Sequence, residues 1–108
     1  MAVQDTTTTL QEIVPRLREA LSPSAIYLFG SRARGTNDPG SDIDLLIVVE
    51  EDARSPYERD AAAYLALADV NAPVDVLVYT RAEFERRAEL PVSFERTVRA
   101  KGKLIHAA

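Results

Sequence analysis

Phe29-Gly-Ser-Arg-Ala-Arg-Gly-Thr-Asn-Asp-Pro-Gly-Ser-Asp-Ile-Asp-Leu-Leu-Ile-Val-Val49 decides how this chain is read. The apolar run Ala25–Phe29 leads into a Gly-Ser turn, and a second apolar run opens Asp-x-Asp, at Asp42 and Asp44. A turn of this kind can hold phosphate, because glycine allows close backbone approach or a positive φ. Ser31 can cap a short helix over Arg32–Arg34, whose start offers N–H groups to an anion. Arg32 and Arg34 can add charge-assisted contacts to phosphate oxygens. The glycine spacing Gly30-x4-Gly35 is that of a Walker A loop, yet Thr36-Asn37 stands where its Lys-Ser/Thr would be. A P-loop is therefore excluded.

The aspartates carry the other half. Alternate residues on a strand point to one side and lie roughly 6.5–7 Å apart along it. From that spacing two carboxylates can lean together on one ion, or hold two ions about 3.5–4 Å apart. Asp75 repeats the pattern inside Val74-Asp-Val-Leu-Val78. It supplies a third carboxylate if its strand lies beside the second. Three gathered carboxylates repel one another and need a cation or a proton, and all-oxygen ligands favour magnesium or manganese. The plain alternative is that Asp42 is a turn residue after Ser41 and Asp44 a solvated edge position. Against it stand the five apolar residues Leu45–Val49 that follow Asp44, since acids are depleted from strands.

Three helix starts match the capping-box pattern: Thr9-Leu-Gln-Glu12, Ser55-Pro-Tyr-Glu58 and Thr80-Arg-Ala-Glu83. They predict helices near 9–21, 56–70 and 81–89, with the first kinked or delayed by Pro15. A last helix over 92–101 ends at Gly102. Strands are expected at Ala25–Phe29, Asp42–Val49 and Val74–Tyr79, with a fourth at Leu104–His106. In the second, Ile43, Leu45, Ile47 and Val49 share one face and Asp42, Asp44, Leu46 and Val48 the other. Such a strand is central and covered on both sides. Thr6–Thr9 reads as a frayed terminus, and 35–41 as a loop dense in turn formers. The expected class is α/β, a small mixed β-sheet flanked by helices.

The chain has 108 residues, which suits one domain over residues 1–108. A net charge of −4 argues against a general nucleic-acid binder, though not against a local basic pocket. With no cysteine there is no thiol nucleophile or thiolate zinc site. No apolar run approaches the roughly 18 residues of a membrane span, and no signal pattern opens the chain, so a cytoplasmic location is expected. His106, the one histidine, lies two residues from the end and makes a Ser-His-Asp triad improbable. Arg96, Arg99, Lys101 and Lys103 read as a solvated helix end, and Glu50-Glu-Asp52 as a solvated loop. Tyr57, Tyr64 and Tyr79 read as packing residues, with Tyr64 the exposed candidate among them.

Gly30-Ser-Arg-Ala-Arg-Gly35, six residues, then Asp42-Ile-Asp44 resembles the signature of the polymerase-beta-like nucleotidyltransferase superfamily. The closest similarity is to its smallest branch, the minimal nucleotidyltransferases of the MntA-like antitoxin type, often encoded beside a HEPN-domain protein. The resemblance covers nearly the whole chain, with Pro73–Thr80 as the strand of the third carboxylate and Arg99–His106 as the closing helix and strand. It implies that Gly30 and Ser31 bind the triphosphate of ATP. Asp42 and Asp44 would ligate two Mg2+ ions, and Asp75 would bind the ion nearer the attacking hydroxyl and help deprotonate it. The implied reaction leaves AMP on an acceptor hydroxyl, a tyrosine of a HEPN-type toxin, and releases pyrophosphate. Arg34, from its charge and position alone, is assigned to the leaving pyrophosphate. No direct nucleic-acid partner and no membrane is expected. Two other readings stay open: a catalytically silent module that neutralises a partner by binding, and a nucleotidyltransferase acting on a small molecule. The latter usually carries an added helical domain, which this sequence lacks.

Overall fold

The computed structural model describes residues 6–35 and 41–108. Among the described residues, five helices and four strands follow in the order α1 (Thr6–Leu21), β1 (Ala25–Phe29), α2 (Ser31–Arg34), β2 (Ile43–Val49), α3 (Pro56–Ala66), β3 (Val74–Thr80), α4 (Arg81–Ala88), α5 (Phe94–Lys101) and β4 (Lys103–Ala107). The strands form one mixed sheet in the order β3-β2-β1-β4. β1 is antiparallel to both β2 and β4, whereas β2 and β3 run parallel. The short β1–β2 connection requires the antiparallel pair, and α3 supplies the crossover that a parallel pair needs.

Period-two alternation in β2 builds both cores. Ile43, Leu45, Ile47 and Val49 pack with Ile13 and Leu17 of α1 and Ala63 of α3. Leu46 and Val48 pack on the opposite face with Phe84 of α4 and Val98 of α5. β2 is thus the central, doubly covered strand that its apolar run predicts. The Ser55 and Thr80 capping boxes form, with Glu58 and Glu83 reaching back to the cap N–H groups.

The structure departs from expectation at several ends. Thr9 does not mark the start of α1: the helix already contains Thr6, and Thr9 is buried within it. Thr6–Thr9 are therefore helical rather than frayed, and Arg32 helps hold them by donating to Thr6 Oγ1 at 2.9 Å. Pro15 lies inside the helix without delaying its start. It is exposed, so water can meet the carbonyl left by its missing N–H, and Arg16 Nη1 donates to the nearby Glu12 carbonyl at 2.7 Å. α3 stops at Ala66, four residues early, and α5 starts at Phe94 because Ser93 caps it. Tyr57 is not a packing residue but projects from the outer start of α3, 82% exposed. The acidic run 50–52 is tied rather than merely solvated: Glu50 pairs with Arg81 and Asp52 with Arg54. Most of the expected loop at 35–41 lies outside the described residues.

Candidate active site

Three carboxylates meet where β2 and β3 begin, beside the end of β1. The parallel register places Asp44 directly opposite Asp75, on strands about 4.8 Å apart. Asp42 precedes β2 by one residue, and its carboxyl lies close enough to that of Asp75 for the two to interact. That contact raises the Asp42 carboxyl above its ordinary range, assisted by the Asp75 charge and slight desolvation and opposed by Arg32. Asp44 is also raised, first by burial and then by the charges of Asp75 and Asp42. Like charge leads at Asp42 and burial at Asp44, and both disfavour the charged form. The plain alternative for Asp44, a solvated edge position, is overturned by the half-buried place it takes on a central strand.

Gly30 closes the site from the β1 side. The antiparallel register pairs Phe29 with Asp44, so the turn after Phe29 lies over the carboxylates. Gly30 has φ 76° and ψ −158°, a conformation that is essentially glycine's alone. A Cβ there would run into the Asp44 carboxylate. Here the glycine serves both backbone shape and close approach. Ser31 is the first residue of α2, and the cap position before it belongs to Gly30, so Ser31 does not cap the helix as expected.

The two arginines of the turn have separate fates. Arg32 is buried and donates to the Ser41 carbonyl from Nη2 at 2.7 Å and from Nε at 3.1 Å. It fastens the chain just before Asp42 to α1 and is spent on structure, contrary to its expected phosphate contact. Arg34 is exposed and lines a cavity of about 300 Å³ with Gly30, Phe29 and α5 residues Phe94, Thr97 and Lys101. Lys101, read from sequence only as a solvated helix end, thus stands across from Arg34 as a second cation. The signal was available in its spacing from Phe94, since positions i and i+7 share a helix face. Neither this cavity nor another of similar volume, between α3, β3 and α4, is lined by any of the three carboxylates.

Tyr64, read from sequence as a packing residue and the exposed candidate among the tyrosines, is 44% exposed. Its hydroxyl accepts the Val76 N–H at 3.2 Å and reaches Asp75 Oδ1 at 3.4 Å. Tyr79 is a packing residue, as expected: burial and its hydrogen bond to Glu95 push the phenol up to about 12.

An all-carboxylate donor set fits a hard divalent cation. Among the described residues, however, no three acidic or imidazole side chains are drawn together tightly enough to make a finished metal site.

Residues 10–105 match the profile of the nucleotidyltransferase domain family. The chain belongs to that family. Solved structures agree on the fold. A protein assigned as a nucleotidyltransferase from Sulfolobus solfataricus is 28% identical, with TM-score 0.59 over 73% of this chain and 70% of that one. The MntA-HpeT toxin-antitoxin is 21% identical, with TM-score 0.59 over 92% of this chain and 72% of that one. A toxin-antitoxin structure with AMP-PNP is 20% identical, with TM-score 0.51 over 95% and 74%. No curated protein sequence matches significantly. The nucleotidyltransferase domain of this chain thus carries a mixed four-stranded sheet flanked by helices, as its sequence led us to expect. Among the described residues no helix is long and apolar enough to cross a membrane.

Proposed function

We propose that this nucleotidyltransferase moves AMP from ATP to an acceptor hydroxyl, a tyrosine on a HEPN-type toxin partner, and so acts as an antitoxin. The observation that carries the chemistry is the convergence of Asp42, Asp44 and Asp75 under Gly30. Asp42, Asp44 and Asp75 would hold two Mg2+ ions, which when bound neutralise charge on the attacking and leaving oxygens. The chain's own residues do the rest. Gly30 and Ser31 let the triphosphate approach the backbone, with no side chain at Gly30 to intervene. Arg34 faces the leaving pyrophosphate. Asp75, the most outlying of the three strand acids, receives the proton as the acceptor oxygen attacks the α-phosphorus. The bond from that phosphorus to the bridging oxygen breaks, and pyrophosphate departs with the electron pair. Positioning accounts for most of the rate.

Label transfer from ATP in the presence of Mg2+ and a HEPN-type partner protein tests this reading. Asp42→Ala/Asp44→Ala should lose several kcal/mol of transition-state stabilisation, on the order of 10³-fold in rate. Equal transfer by wild type and the double variant would sink it.

One observation favours a second reading, a silent module that neutralises its partner by binding alone: no three side chains among the described residues close into a finished metal site. Under that reading the double variant still protects against the partner. Under the first, protection is lost while binding persists.

A further inference from the structure

β3 lies at the edge of the sheet, and its outward N–H groups need partners. Two side chains of α3 provide them: Asp60 Oδ1 accepts the Val78 N–H at 2.9 Å, and Tyr64 Oη accepts the Val76 N–H at 3.2 Å. The match is geometric. Residues four apart on a helix rise about 6 Å, and residues two apart on a strand span about 6.6 Å. The pair shields the edge, but its members differ in one respect. A carboxylate that accepts a strand N–H has finished its work there, whereas a phenol still has a proton to place. With its oxygen turned to the Val76 N–H, the Tyr64 hydroxyl directs that proton to Asp75 Oδ1, 3.4 Å away. Hydrogen bonds of this kind are often long before a ligand is bound and shorten on binding.

We infer that Tyr64 is a positioning residue, which orients the Asp75 carboxylate for a divalent cation through a hydroxyl that the edge of β3 itself holds in place. The inference rests on the reading of the three aspartates as cation ligands. Partners that fix a ligating carboxylate change metal affinity by roughly 10–100-fold when removed. Tyr64 is 44% exposed, at the surface of α3, so replacing it by phenylalanine deletes one oxygen and leaves the core untouched.

Mn2+ binding by wild type, Tyr64→Phe, Asp60→Ala and Asp42→Ala/Asp44→Ala, followed by electron paramagnetic resonance in the presence of a non-hydrolysable ATP analogue, tests it directly. Tyr64→Phe should weaken binding roughly tenfold. Asp60→Ala, which loosens the same strand edge without touching Asp75, should stay within about twofold of wild type. The double aspartate variant should bind none. If Tyr64→Phe binds as wild type does, or if Asp60→Ala reproduces its loss, the positioning role is overturned while the cation site stands. If wild type itself takes up no Mn2+, the reading of the aspartates fails and the inference falls with it.

Discussion

The two ends of β3 handle acid in opposite ways. At its start, Asp75 faces Asp44 and Asp42; its carboxylate pushes Asp42 up, and burial followed by the charges of Asp75 and Asp42 pushes Asp44 up. At its end, the Thr80 cap leads to Glu83, whose carboxyl drops to about 2. The main cause is the pair of bonds from the buried Arg59 guanidinium, at 2.8 and 3.1 Å, with the Thr80 N–H adding another at 2.9 Å. Glu83 is therefore satisfied from within, and it ties α3 to α4 across the edge strand. The three aspartates are satisfied by nothing of comparable strength. One acid is thus compensated fully and three others are not, within a single strand's length, and the second set is the one that the proposed function assigns to a ligand.

Upsetting the compensated end should have the largest effect on stability. Glu83→Gln keeps the capping-box geometry but leaves Arg59 buried opposite a neutral amide, and should cost about 2–3 kcal/mol in urea unfolding. The reverse change, Arg59→Met, leaves a carboxylate that is still partly solvated and bonded to Thr80, and should cost about 1 kcal/mol. Equal costs would mean that Arg59 is no more dependent on its partner than Glu83 is.

Gly30→Ala should come next. It forces a side chain into φ 76° and against Asp44, with an expected loss of about 2 kcal/mol and a larger proportional loss of transfer activity. A variant that unfolds more readily yet transfers at the wild-type rate would separate Gly30 from the carboxylates.

A smaller effect distinguishes the two ends by ligand. Mg2+ at about ten times its Kd should raise the wild-type Tm by roughly 5 °C. The same concentration should leave Asp42→Ala/Asp44→Ala unmoved, and Glu83→Gln should respond like wild type. Asp44→Asn should melt a few degrees above wild type in metal-free neutral buffer, because it removes one of the repelling charges.

The subtlest test is the sign of the pH dependence. A carboxyl raised on folding binds its proton more readily in the native state, so the aspartate cluster destabilises above its native pKa and ceases to do so below the ordinary aspartate value. Glu83, lowered on folding, contributes fully above its ordinary value of 4.5 and loses that contribution as pH falls toward about 2. In metal-free melts, the advantage of Asp44→Asn over wild type should shrink on acidification. The deficit of Glu83→Gln should shrink as well, but from the opposite side. Slopes of the same sign relative to wild type would show that the two ends are not electrostatic opposites.

Much of this was legible in the residues. The alternation of Ile43–Val49 fixes a central strand with two covered faces, and Ser55 and Thr80 announce helices by the side-chain chemistry of their first turns. Asp42 and Asp44 share a face by strand periodicity alone. These are local properties, set by residues within a few positions of one another. The failures were local cues outweighed by distant partners. Thr9 carries the pattern of a cap, but packing of α1 and the reach of Arg32 to Thr6 extend the helix past it. Arg32 has the charge of a phosphate ligand, yet its burial against Ser41 and Thr6 is visible only once α1, α2 and the start of β2 have been brought together.

The sequence by itself determined the acids, the glycine turn and the strands that bear them, because composition and period act within one segment. Tertiary structure alone decided that β2 and β3 run parallel with Asp44 beside Asp75, that Gly30 sits against Asp44, and that Tyr64 reaches Asp75 from across the sheet edge. Register and packing depend on segments far apart in the chain, as Asp44 and Asp75 are, and no local pattern encodes which of their atoms will touch.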